Sequence, residues 1–143
     1  MDLAQFTASI GCRRPSRPHA VEAIYATAHW LLSRERAVDA AKVFRVMLRV
    51  APRDERGWLG LGECHERVDQ IRIAAELYGA GSVIAGGTRS VSVRCLVARA
   101  RALCKLGRCD DVAWILDTAA QAAEEKEDHA LVSLVASERR RLS

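Results

Sequence analysis

The sequence predicts an all-α fold, a superhelix of three helical hairpins with capping helices at its ends. Two features carry that prediction and a third agrees with it. The stretch 58–81, WLGLGECHERVDQIRIAAELYGAG, sets Trp58, Leu61, Gly62, Ala74, Tyr78 and Gly81 at helical spacing, small beside aromatic. Moving back 34 residues turns Ala74 and Tyr78 into Ala40 and Phe44, and Trp58 and Gly62 into Ile24 and Ala28. Small residues let two antiparallel helices approach, and the aromatics fill the wedge between them. Half of the 143 residues are hydrophobic, three are proline and few are aromatic, which suits packed helices.

A period of 34 is that of the tetratricopeptide unit, one helix–turn–helix. Repeats are expected at about 21–54, 55–88 and 93–126, within a domain covering 19–143. Residues 1–18 precede it as an arm. Leu3, Phe6 and Ile10 share one side of a short helix there, broken by Gly11, Pro15 and Pro18. The arm reads either as a dimerisation or capping device or as a frayed end. Pro18 suits the first turn of a helix running to about Arg34. The second helix, about Val38 to Val50, carries Ala40, Val43, Phe44 and Met47 on one face, and Pro52 stops it. Asp54 or a neighbour caps the third, which runs to about Val68; its partner spans about Ile71 to Ile84. Gly86-Gly87-Thr88 interrupts the frame. With Gly107 as a turn glycine, Leu96, Ala100 and Leu116 take the places of Trp58, Gly62 and Tyr78, which requires four residues inserted near the Gly-Gly. A capping helix at about 127–142 covers the open end, since each repeat buries its face only against a neighbour.

The formal charge is +4, and its sign alternates. Residues 1–52 hold 8 basic and 4 acidic groups, 53–87 hold 4 and 6, and 88–143 hold 10 and 8, so no segment is a phosphate track. The five cysteines (Cys12, Cys64, Cys95, Cys104, Cys109) include no CxxC pair, which points to a reduced, cytoplasmic compartment without metal or cofactor. No run of about 18 apolar residues offers a membrane span, and residues 1–20 lack a signal peptide's apolar core.

In such a stack the first helix of each repeat lines a concave groove. The side chains left over from stacking are Glu22, Tyr25, His29, Leu32 and Ser33, then Arg56, Leu59, Glu63, Glu66 and Arg67, then Arg94, Val97, Arg101, Cys104 and Lys105. Apolar and aromatic groups ringed by alternating charge suit an extended peptide with hydrophobic anchors. The expected peptide-binding residues are Tyr25, His29, Leu32, Arg56, Leu59, Glu63, Glu66, Val97 and Arg101. The plainer reading, that Tyr25 and Leu59 only complete the core between helices, stands beside this one. A clamp of lysines and asparagines for a terminal carboxylate is not present at Tyr25, His29 or Gly60.

Catalysis finds little support. His29 and His65 have no nucleophile placed by a recognisable motif, Glu63/Glu66 read as surface, and Gly86-Gly87 lacks the lysine of a phosphate loop. Arg139-Arg140-Arg141 either touch nucleic acid or complement a helix end. Trp30 and Trp114 either pack against the arm and the cap or form a subunit interface.

The run DAAKVFRVML (39–48), Asp54-Glu55-Arg56, WLGLGECHE (58–66), YGAG (78–81) and CKLG (104–107) together resemble the class II chaperones of bacterial type III secretion. The likeness spans about Tyr25 to Gln121, and LGLG is its most specific phrase. The resemblance implies a cytosolic, often dimeric chaperone that binds extended hydrophobic segments of pore-forming translocators in its groove. The family's aromatic groove positions in the first repeat fall on Tyr25, His29, Leu32 and Ala37, of which only Tyr25 keeps aromatic character. The rival readings are a generic tetratricopeptide scaffold in another bacterial assembly and a nucleic-acid-associated regulator.

Overall fold

The structure, a computed structural model, describes residues 17–143. The expected arm falls outside them save for Arg17 and Pro18, which open the first helix. The chain runs α1 (Arg17–Ser33), α2 (Ala37–Val50), α3 (Glu55–Arg67), α4 (Ile71–Ile84), α5 (Val93–Lys105), α6 (Asp110–Glu125) and α7 (His129–Leu142). Among the described residues there is no strand. The fold is all-α and tetratricopeptide-like, as the periodicity requires.

The turns inside the hairpins repeat the frame. Glu35 (φ 59°), Asp69 (φ 61°) and Gly107 (φ 73°) occupy the left-handed region at matching places, 34 and then 38 residues apart. The extra four residues lie between α4 and α5, where the connection spans 85–92 against 51–54 between α2 and α3. The last helix begins at His129, later than the sequence suggests. Glu127 turns the chain with φ 53°, and the Asp128 side chain accepts from the Ala130 and Leu131 amides at 2.9 and 3.2 Å.

Ala28, Ala40, Ala74 and Ala100 are fully buried, which lets paired helices close on one another. One core gathers Phe44, Met47, Leu61 and Cys64; a second runs from Ala74 and Tyr78 through Leu96, Ile115 and Leu116 to Val135 on α7. The two meet across α3. A Cβ on Gly60 would overlap the Phe44 ring, and one on Gly62 would overlap the Tyr78 ring. Trp114 is 67 % exposed and Trp30 52 %, the latter with the Arg34 guanidinium 5.4 Å from its ring centre, so α7 does not cover Trp114.

Candidate functional site

The helices α1, α3, α5 and α7 touch in succession, whereas α2, α4 and α6 touch only their neighbours in sequence. The stack therefore curves with the first helices inside, and their free side chains share one trough.

At the α1 end, the Arg56 guanidinium lies 4.5 Å from the Tyr25 ring centre. It also donates to Glu22 Oε1 at 2.6 Å and to Asp54 Oδ2 at 2.7 Å. These bonds hold both carboxyls below their ordinary range and raise Arg56 further. Tyr25 is half-buried, its ring 5.9 Å from His29 and 6.5 Å, edge-on, from Phe44. Tyr25 packs against the first core and keeps part of its surface exposed.

Toward α7, a depression of about 270 Å³ is lined by Leu59, Glu63, Glu66, Tyr78, Ala98, Arg101 and Lys105. It brings together four expected residues from α3 and α5. Leu59 and Ala98 supply its partly exposed apolar floor.

Leu32 and Val97 differ from the expectation. They are 4 % and 2 % exposed and belong to the two cores, so neither offers an open surface. Helical period alone puts Leu32 on the trough side, but α2 returns over the end of α1 and packs against it through Ala37 and Ala40.

The charges of the trough bond to one another across successive inner helices. Glu22–Arg56 joins α1 to α3, and Glu55–Arg94 (2.9 Å) and Glu66–Lys105 (3.3 Å) join α3 to α5. Arg101–Glu138 (2.6 Å) joins α5 to α7, while Glu63 pairs with Arg67 on its own helix at 2.8 Å. Glu138 is the member sequence reasoning missed: it is 1 % exposed, and its second oxygen has no partner. Arg139 is bonded to Asp117 at 2.5 Å and Arg141 lies 3.6 Å from Glu138, so two of the three terminal arginines are engaged within the protein. Cys64 is buried, and burial pushes its thiol up to about 11, far from a nucleophile's range. His65 Nδ1 is 2.6 Å from Gln70 Oε1.

These features define a helical-repeat protein whose inner face has half-buried apolar groups framed by neutralised charge. Solved structures narrow that class. The translocator chaperone SycD of the type III secretion system of Yersinia enterocolitica matches with a TM-score of 0.71 and 26% identity, over 84% of this chain and 87% of that one. SycD in complex with a peptide of the translocator YopD matches at 0.68 and 25%, over 87% and 92%. PcrH from Pseudomonas aeruginosa shares the fold at 0.71 with 21% identity, over 87% and 92%. No family model and no curated protein matches the sequence. The chain has the fold of the type III secretion translocator chaperones.

Proposed function

We propose that this protein is a cytosolic, non-enzymatic chaperone of a bacterial type III secretion system. It holds extended, hydrophobically anchored segments of translocator proteins in its trough and keeps them soluble before secretion. The observation that carries this reading is the match to SycD, which includes a structure solved with a translocator peptide. The trough supports it: Tyr25, His29, Leu59 and Ala98 present partly exposed surface, while Arg56, Glu66 and Arg101 hold the inner helices in place. A client's membrane segments aggregate in water, and binding the exposed state shifts that balance by mass action without ATP. Among the described residues no helix is long and apolar enough to cross a membrane. Trp30 and Trp114 supply apolar surface for pairing two copies.

Co-expression with candidate translocators, then pull-down and mass spectrometry, tests the reading. Tyr25→Ala with Leu59→Ala lowers client recovery at least about tenfold, since a lost anchor is worth ~1.4 kcal/mol or more. Helicity is expected to persist. Unchanged recovery removes the trough as the binding face.

A further inference from the structure

Two cysteines lie at the α5–α6 turn, and Cys104, which helical period alone puts on the trough side, lines a cavity with α6 and α7 instead. Cys104 lies in the last turn of α5 and Cys109 directly precedes α6. Both line a cavity of about 260 Å³ with Val112, Leu116, Arg139 and Leu142. Cys109 is exposed and Cys104 half-buried, whereas Cys64 and Cys95 are sealed in the cores. The turn between them bends at Gly107, whose φ of 73° brings the two helix ends back together.

We propose that Cys104 and Cys109 form an oxidisable dithiol, a modification site that a small-molecule disulfide closes across the α5–α6 turn. Cys109, the accessible thiol, attacks one sulfur of the small disulfide as its thiolate. A mixed disulfide forms at Cys109 and one small thiolate leaves. Cys104, deprotonated, then attacks Cys109 Sγ, forming the intramolecular bond and expelling the second small thiolate. Two protein thiols are oxidised, and one disulfide is reduced to two thiols. The new bond ties the end of α5 to the start of α6, in the wall that Arg139 and Leu142 of α7 complete.

The sequence makes the test direct, because trypsin cuts after Lys105 and Arg108 and so separates the two cysteines. The full chain is incubated with oxidised glutathione, alkylated, digested without reduction and analysed by mass spectrometry. The expected product is peptide 102–105 joined to peptide 109–126. It should exceed any other cysteine pair at least about tenfold, as befits a partner thiol held at millimolar effective concentration. With Cys104→Ser, glutathione is expected to remain on Cys109. The proposal is overturned if glutathione stays on Cys109 in the unaltered chain. It is equally overturned if Cys109 pairs with Cys12, or with a second copy, at least as readily as with Cys104.

Discussion

Gly60 and Gly62 account for the LGLG phrase one residue at a time. Positions two apart on a helix point to nearly opposite sides, so Gly60 receives Phe44 from α2 while Gly62 receives Tyr78 from α4. The central helix is thus gripped between two rings, one from each core. Alanine is favoured over glycine in a helix interior by about 1 kcal/mol, but overpacking costs about 1–3 kcal/mol. The overlap here is with ring atoms of side chains nearly or fully buried, so the clash wins. Gly60→Ala and Gly62→Ala are each expected to melt several degrees lower in a circular-dichroism scan, and Gly62→Leu should not fold. A Gly62→Leu protein that melts with the parent would show that Tyr78 does not sit there. The same logic separates Tyr25 from Leu32. Tyr25 keeps an open face, whereas Leu32→Ala empties core volume and costs about 2–5 kcal/mol of stability whatever it does to binding.

Among elements, the hairpin turn is the unit that repeats. Glu35 and Asp69 adopt the left-handed conformation that Gly107 takes freely, and a side chain there costs about 1–2 kcal/mol. A Cβ on Gly107 would meet nothing within 4 Å. Gly107→Ala therefore isolates the conformational term, and chemical denaturation should show a loss of about 1 kcal/mol with an unchanged slope. No loss would mean that the turn relaxes to another shape. The starts of α1 to α5 were readable because small and aromatic positions recur with the period of the hairpin, even through the insertion before α5. The start of α7 was not, because the run Glu124–Asp128 hides its capping Asp128 among other charges. Leu32 and Val97 were misplaced for a different reason. A helical period fixes which side a residue faces, but not what the next helix lays over that side.

At the scale of the molecule, the inner helices are tied by ion pairs between residues 34 to 39 apart in sequence, from Glu22–Arg56 to Arg101–Glu138. The sequence shows those charges but not their pairing, since partners are defined only once the stack has curved. The last link decides how α7 closes the stack. Arg101 chiefly, with Arg141, holds the Glu138 carboxyl below its ordinary value of 4.5, against the opposing effect of burial. Arg56 does the same for Glu22 and Asp54. A carboxyl lowered in the folded state contributes stability that is present above its unfolded value and is lost as pH falls through the folded one. The melting temperature should therefore hold from pH 7 to about 5 and decline below about 4.5. Glu138→Gln removes the charge but not the volume, and leaves Arg101 partly solvated rather than stranded. Its cost at neutral pH is thus about 1–3 kcal/mol, the range for a lost charged hydrogen bond rather than a fully buried pair. Because an amide in that place cannot titrate, the variant's decline below about pH 4.5 should be shallower than the parent's. Parallel acid curves for the two proteins would mean that α7 is not held to α5 by this pair.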